Sequence, residues 1–412
     1  MTPAVERVGV VGAGTMGAGI AQIAALGGYR TVIYELDSRA LQRGLEQLRV
    51  ALRRGAERGR WKEQDAIDAL GRIETDQIIE VLRDCDLVIE AAPEDLELKR
   101  NLFERLASVC GPDAVLATNT SSLSVTAIAA AVPDPQRIVG MHFFNPPALM
   151  QLVEIVAGDE SGEQPLELAT EVANGMGRTP IRARDSVGFV ANRCVRPFFL
   201  ESLRMLGEGV APYDEIDRIV RLAAGLRMGP FELMDLIGID VNFAVARSFW
   251  EQSFGEPRWR PSPIHERMVA SSRLGRKTGR GFYAYEEGEP HRPPDPDTDG
   301  ERPVFDEVEL ERIAGPNAPS VLTRLGSTIA NEACFALGER VASADDINTA
   351  MRLGYNWPVG SLEWGERLGW ARALGVLEEL RELQGEAYRP APLLRDLAGG
   401  QALPGPAAAS AG

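Results

Sequence analysis

The sequence predicts an α/β chain: a doubly wound, mostly parallel sheet domain followed by two all-α helical modules that copy one another. Three observations carry this reading. A strand runs straight into a glycine-rich turn, a helix and a second strand at the start of the chain. Strand and helix patterns then alternate to about residue 185, after which only helical patterns occur. Finally, a stretch around residues 206–238 recurs around 337–369.

The first unit begins with an apolar strand, Val5 to Val11. It leads into Gly12-Ala13-Gly14-Thr15-Met16-Gly17, a helix from Ala18 to Leu26, and a strand from Thr31 to Tyr34 that ends at Glu35. A lone Gly-x-Gly-x-x-Gly is a weak signal. Between a strand and a helix, with an acid at the end of the next strand, it marks a Rossmann-type dinucleotide site. The glycines let the backbone approach a pyrophosphate seated on the helix N-terminus. Glu35 accepts hydrogen bonds from ribose hydroxyls and repels a 2′-phosphate, which selects NAD over NADP.

A long helical pattern follows from Asp37 to Gly59, with Arg49, Arg53, Arg54, Arg58, Arg60 and Lys62 crowded near its end. A basic cluster in an acidic chain suits a multiply charged anion. For most of these residues a solvated helix face is the plainer account. The next strand, Asp86 to Glu90, ends in Ala91-Ala92-Pro93-Glu94, and a helix spans Asp95 to Val109. Ala114 to Ala117 opens into Thr118-Asn119-Thr120-Ser121-Ser122, and Arg137 to Gly140 delivers His142. The sequence thus puts Glu94, Ser121 and His142 past strand ends on one rim of the sheet, where doubly wound folds bind ligand. A lone histidine is more often a core residue. The shared rim argues otherwise here, because imidazole is the side chain best suited to exchanging a proton near neutrality. After Pro146 and Pro147, a strand from Leu149 to Val156 carries Glu154, a carboxylate placed to orient the imidazole.

A helix (Gln164 to Met176) and a strand (Thr179 to Ala183) complete a first domain, residues 1–185. Residues 186–285 form the first helical module, with Asn192 early in its first helix and a basic loop, Gly275 to Tyr283, at its end. Residues 286–314 read as a linker, mobile from Glu286 to Pro303, and 401–412 as a disordered tail. Residues 315–400 form the second module. Leu206-Gly207-Glu208 recurs as Leu337-Gly338-Glu339, and Asp217, Gly229, Glu232 and Gly238 are matched by Asn348, Gly360, Glu363 and Gly369, all at one shift of 131. Arg260-Pro261-Ser262-Pro263 recurs as Arg389-Pro390-Ala391-Pro392 at a shift of 129. Thr323 stands where Asn192 does and the basic loop has no counterpart, so the second copy reads as structural. His265 and His291 receive no catalytic role.

Composition excludes other classes. The net charge of −16 argues against nucleic acid and anionic membrane partners. No apolar run is long enough to span a bilayer. The N-terminus leads almost directly into a strand, with no signal peptide ahead of it. Four scattered cysteines, without a CxxC pair, read as buried free thiols of a reducing, cytoplasmic compartment. No cluster has metal-ligand spacing.

Taken together, these motifs resemble the 3-hydroxyacyl-CoA dehydrogenase family. The resemblance rests on Gly12–Gly17 with Glu35, Glu90–Glu94 with Lys99, Thr118–Ser122, His142–Glu154, Gly188–Arg193 and Gly275–Tyr283, in family order. It implies NAD-dependent, reversible oxidation of (S)-3-hydroxyacyl-CoA to 3-oxoacyl-CoA. His142 takes the hydroxyl proton, Glu154 orients it, and Ser121 and Asn192 bond the substrate oxygen. Glu94, Lys99, Ser121, Asn145 and Lys277 line the NAD site, and Arg58 meets the CoA phosphates. Ala51 stands where the family uses a hydroxyl residue. A short-chain substrate such as 3-hydroxybutyryl-CoA is expected; 3-hydroxyadipyl-CoA or a non-CoA hydroxyacid of the gulonate type are the alternatives. A non-catalytic NAD-binding protein has no need of the His142, Glu154, Ser121 and Asn192 set. Because the helical module is the family's dimerisation surface, the second copy implies a monomeric pseudo-dimer, with a homodimer as the alternative.

Overall fold

A computed structural model describes residues 5–287, 290–296 and 302–404. The tail expected at 401–412 falls mostly outside the described residues, as does part of the expected linker. Two compact units divide the chain, Met1–Phe189 and Val190–Gly412.

The first unit is an eight-stranded sheet of order β3-β2-β1-β4-β5-β6-β7-β8. Its strands are β1 (Arg7–Val11), β2 (Arg30–Tyr34), β3 (Ile73–Asp76), β4 (Leu87–Glu90), β5 (Val115–Thr118), β6 (Ile138–Phe143), β7 (Leu152–Ala157) and β8 (Thr179–Arg184). Every pairing is parallel except β6 with β7. The order reverses between β1 and β4, and that switch point opens a crevice at the strands' carboxyl ends. Helices α1 (Thr15–Leu26), α2 (Ser38–Glu57), α3 (Glu63–Gly71), α4 (Leu96–Val109), α5 (Val125–Ala129) and α6 (Glu163–Gly175) complete the unit. Its core includes Val8, Val10, Ile20, Ile23, Ile89, Val139, Met141 and Ile155.

Three differences from the sequence reading bear on the site. Helix α1 starts at Thr15, not Ala18, because the glycine turn itself forms the helix entry with Gly14 as N-cap. His142 lies inside β6 rather than beyond its end, since β6 continues to Phe143 opposite β7. Strand β7 begins at Leu152, because Pro146 forms a turn whose carbonyl takes the N–H groups of Leu149 and Met150. The edge strand β3 is absent from the sequence reading: Ile73-Glu74-Thr75-Asp76 is half polar and lacks an apolar run.

The second unit is all helical and built twice. The first copy holds α7 (Ala191–Cys194), α8 (Arg196–Glu208), α9 (Tyr213–Ala224), α10 (Pro230–Ile237), α11 (Ile239–Gln252) and α12 (Pro263–Ala270). Helix α13 (Glu307–Ala314) precedes the second copy: α14 (Ala318–Gly338), α15 (Ala344–Gly354), α16 (Ser361–Leu368), α17 (Trp370–Gln384) and α18 (Pro392–Ala398). Helices α9, α10 and α11 begin 131 residues before α15, α16 and α17, and α12 begins 129 before α18. The same devices recur in both. Asp217 accepts from Phe231 N and Glu232 N, and its counterpart Asn348 accepts from Leu362 N. Glu232 and Glu363 each reach back to the N-cap N–H, of Gly229 and Gly360. Arg221 and Arg352 each pair with that glutamate.

The expected linker is more ordered than its composition suggests. Asp306 accepts from Glu309 N at 2.9 Å and starts α13 inside the stretch 286–314. His291 and Arg292 both bond Glu232, at 2.8 and 2.5 Å, and Asp295 pairs with Arg221 at 2.7 Å. These residues anchor 290–296 to α9 and α10, so charge pairing outweighs the Pro-rich composition there. All four cysteines are buried, and none is in a disulfide.

Candidate active site

The glycine turn builds a cradle for a dinucleotide. Gly12 has φ +99°, and a Cβ there would sit 2.9 Å from the Ala91 carbonyl oxygen; one on Gly17 would overlap the Gly12 carbonyl. Gly14, by contrast, faces open space. No side chain caps α1, which leaves the N–H groups of its first turn for a ligand. A cavity of about 900 Å³ lies against this turn, lined by Gly12, Gly14, Thr15, Met16, Glu35, Ala92 and Leu98 among others. Ala13 lies behind it, buried, and its N–H donates to Glu35 Oε2 at 3.0 Å. Glu35 Oε1 takes Asp37 N at 3.0 Å. The second strand's terminal acid is thus bonded to the fingerprint itself at the mouth of the cavity. A pyrophosphate, a ribose and an adenine fit this donor set and volume.

Further along the same rim, Glu94 collects hydroxyl and amide donors. Thr120 Oγ1 (2.6 Å), Ser121 N (3.0 Å), Ser122 N (3.2 Å) and Ser122 Oγ (3.0 Å) all reach its Oε1. Burial opposes its charge, but Thr120, the Lys99 ammonium and the Ser121 N–H outweigh burial and hold it below the usual carboxylate range. Lys99 does not face the cavity. It is 1% exposed, with its ammonium 2.6 Å from Glu90 and 3.4 Å from Glu94. Its charge supports the two acids rather than a ligand directly. Glu90 is itself buried and also takes Thr118 Oγ1 and Ala92 N. Ser121 is exposed on the rim, as is Asn145.

His142 and Glu154 face each other directly across the antiparallel β6–β7 pair. Nδ1 of His142 is 2.6 Å from Glu154 Oε2, and both side chains are buried. Phe144 and Phe189 flank the imidazole, with ring centroids 4.6 and 5.8 Å away. The carboxylate takes the Nδ1 proton, so Nε2 is the nitrogen left to exchange one. Sequence reasoning missed Asn119, whose Oδ1 accepts from Phe143 N at 2.8 Å and ties the end of β5 to the strand bearing His142. Only the β4-β5-β6 order reveals it.

The basic cluster divides. Arg49 and Arg53 pair loosely with Glu46 and Glu57 on the exposed helix face. Arg54, Arg58 and Arg60 line a second cavity of about 360 Å³ with Gln22, Ala51, Trp61 and Pro146 to Leu149. Asn192 and Lys277 belong to the helical unit. Asn192 Oδ1 accepts from Tyr355 Oη at 2.8 Å. Lys277 pairs with Asp240 at 2.6 Å and stays half-exposed. The basic loop around Lys277 folds over the buried Asp235, which takes the N–H groups of Phe282 and Tyr283. Among the described residues no group of His, Cys, Asp or Glu side chains could hold a metal ion, and no helix is long and apolar enough to cross a membrane.

A dinucleotide cradle beside a carboxylate-oriented imidazole defines an NAD-dependent dehydrogenase. The model of the 3-hydroxyacyl-CoA dehydrogenase NAD-binding domain matches residues 7–186, and that of the family's C-terminal domain matches 188–285 and again 321–408. The chain belongs to the 3-hydroxyacyl-CoA dehydrogenase family. It is 37% identical to the 3-hydroxyadipyl-CoA dehydrogenase of Escherichia coli K12, over 96% of this chain and 98% of that one. A probable 3-hydroxybutyryl-CoA dehydrogenase of Deinococcus radiodurans is 40% identical, over 68% of this chain and all of its own. A crystal structure of a 3-hydroxybutyryl-CoA dehydrogenase from E. coli K12 superposes with a TM-score of 0.86 at 36% identity, covering 96% of this chain and 98% of that one.

Proposed function

We propose that the chain interconverts a short-chain (S)-3-hydroxyacyl-CoA, such as 3-hydroxybutyryl-CoA, and its 3-oxoacyl-CoA, with His142 as the general base and acid. The observation that carries this reading is the 2.6 Å His142–Glu154 pair set by the β6–β7 register. Glu154 fixes the tautomer that leaves a lone pair on Nε2, and its charge stabilises the imidazolium once the 3-hydroxyl proton has moved. NAD supplies the hydride acceptor. Gly12 to Gly17, Glu35 and Glu94 hold the cofactor, assisted by Asn145 and Lys277, and Ser121 and Asn192 donate to the substrate's 3-oxygen. Arg58, with Arg54 and Arg60 beside it in the second cavity, meets the CoA phosphates. Ala51 lines the same wall and offers no hydroxyl, so the guanidinium groups carry that contact.

The second reading is a substrate with a terminal carboxylate, 3-hydroxyadipyl-CoA. It is favoured by similarity to the E. coli 3-hydroxyadipyl-CoA dehydrogenase across both helical copies. NADH oxidation at 340 nm with acetoacetyl-CoA, 3-oxoadipyl-CoA and free acetoacetate separates the cases. Faster turnover of acetoacetyl-CoA supports the first reading, and a strong preference for 3-oxoadipyl-CoA the second. Turnover of free acetoacetate alone would overturn both.

The second helical copy takes the place of a partner subunit, so the enzyme works as a cytoplasmic monomer with a pseudo-dimeric helical unit. Support comes from ion pairs made in both directions between the copies, from Arg193 on α7 to Glu332 on α14 and from Arg324 on α14 to Glu201 on α8. Light scattering that gives an obligate dimer through the first copy would overturn this.

A further inference from the structure

Asn192 is half-buried at the start of α7, and its surroundings decide which end of its amide donates. Tyr355 Oη lies 2.8 Å from Asn192 Oδ1. Tyr355 comes from the second helical copy, where it caps the end of α15, and Asn356 after it takes a left-handed conformation (φ 54°), as Gly225 does at the matched point of the first copy (φ 72°). The contact has no mirror image. The residue matched to Tyr355 is Ala224, and Thr323, matched to Asn192, bonds Arg372 at 3.2 Å instead.

Arg196 completes the arrangement. It is buried, lies 5.1 and 5.4 Å over the rings of Phe199 and Phe249, and donates from Nε to the Asn192 carbonyl at 3.2 Å. Its Nη1 has no hydrogen-bond partner among the described residues. Burial pulls its pKa below the usual arginine value, and its interaction with Tyr355 partly offsets this. A guanidinium has donors only, so toward Arg196 the Tyr355 oxygen can only accept, and its one proton goes to Asn192 Oδ1. Reversing the amide would leave that proton without an acceptor and turn Oδ1 away from its donor.

We propose that Tyr355, supplied by the second helical copy, is a positioning residue that grips Asn192 by Oδ1 and so presents the amide Nδ2 to the substrate's 3-oxygen. This rests on the reading of Asn192 as a donor to that oxygen. It gives the second copy a part in turnover beyond packing.

The test is a double-mutant cycle in the full chain, with acetoacetyl-CoA and NADH, using Tyr355→Phe, Asn192→Ala and the pair. Tyr355→Phe should lower kcat about 10-fold, with KM and NADH affinity little changed. Asn192→Ala should lower kcat further, and the double variant should fall no lower than Asn192→Ala alone. Wild-type turnover in Tyr355→Phe, alongside a damaged Asn192→Ala, would overturn this proposal and spare the reading of Asn192. Wild-type turnover in Asn192→Ala would overturn that reading and this proposal with it. Additive losses in the double variant, or a matching loss of NADH affinity in Tyr355→Phe, would mean that Tyr355 acts on the fold at large.

Discussion

Arg193 and Arg324 occupy the same position in the two helical copies, and each reaches across to the other copy's pair of glutamates. Arg193 lies 2.8 Å from Glu332 and 2.7 Å from Glu339; Arg324 lies 2.5 Å from Glu201 and 2.6 Å from Glu208. Glu201 and Glu332 are themselves matched at the shift of 131. Trp259 Nε1 donates to Glu332, and Tyr388 Oη, its counterpart at the shift of 129, donates to Glu201. Residue i bonds j and j bonds i, the pattern of a two-fold interface, here within one chain.

Breaking one arm should be costly. Glu201 is fully buried, and Arg324→Met takes from it the closer of its two guanidinium groups, leaving Arg204 at 2.9 Å, and removes the one that pairs with Glu208. The expected loss is about 3–5 kcal/mol in urea-induced unfolding, with part of it recovered by adding Glu201→Gln. Arg193→Met should cost a similar amount, because it takes from the buried Glu332 one of its two guanidinium groups and leaves Arg258 at 2.7 Å. A loss under about 1 kcal/mol in both, the range of exposed pairs, would contradict the burial described.

The acid–base pair is tested by His142→Gln and Glu154→Gln. Each should lower kcat by roughly 10²-fold or more, while NADH affinity measured by fluorescence titration stays nearly unchanged. The cofactor contacts proposed above come from other elements, so turnover and binding should separate. Near-normal turnover in both variants would remove the assignment.

At the second cavity, Arg58→Ala should raise KM for acetoacetyl-CoA about 10-fold and leave kcat nearly intact, because a phosphate contact remote from the reacting carbon contributes uniform binding. The effect should vanish with acetoacetyl-pantetheine, which lacks the nucleotide phosphates. An equal effect on both thioesters would place Arg58 elsewhere.

The pH dependence of stability should carry the mark of His265. Burial, and secondly the charge of Arg196, lowers its pKa from the usual 6.5 to about 3. Its Nε2 rests 3.1 Å from Met234 Sδ, and its Nδ1 has no hydrogen-bond partner among the described residues. Below pH 6.5 the unfolded chain takes up a proton there and the folded chain does not until near pH 3. Stability therefore falls as pH drops through that window. The expected loss from this residue is about 2 kcal/mol between pH 7 and 5. Urea unfolding of His265→Gln should show a smaller drop over the same range; an unchanged drop would show that other groups dominate.

Much of this was legible in the sequence for identifiable reasons. The fingerprint from Gly12 to Gly17 and the acid Glu35 are local, so spacing alone reveals them. The repeat was legible because its glycines and acids perform fixed duties: Gly229 and Gly360 begin helices whose N-cap N–H groups Glu232 and Glu363 take up. The His142–Glu154 pair needed only the inference that two strands return side by side. What escaped was long-range. Asn119 is unremarkable until β5 and β6 are neighbours, and Lys99, expected along the NAD site, shows its burial against Glu90 and Glu94 only in the folded chain. The linker misled because composition does not disclose that His291, Arg292 and Asp295 find opposite charges on α9 and α10.

In a symmetric dimer a single coding sequence writes both halves, so every substitution occurs twice and must be tolerated at both places. Here the halves are written separately. Tyr355 exists on one side and Ala224 on the other, and only the first copy keeps the basic loop of Gly275 to Tyr283. Tandem duplication frees the two halves to drift apart: one can specialise in chemistry and the other in support. Their meeting is also independent of dilution, since a covalent tether of a few dozen residues holds each at a fixed local concentration near the other.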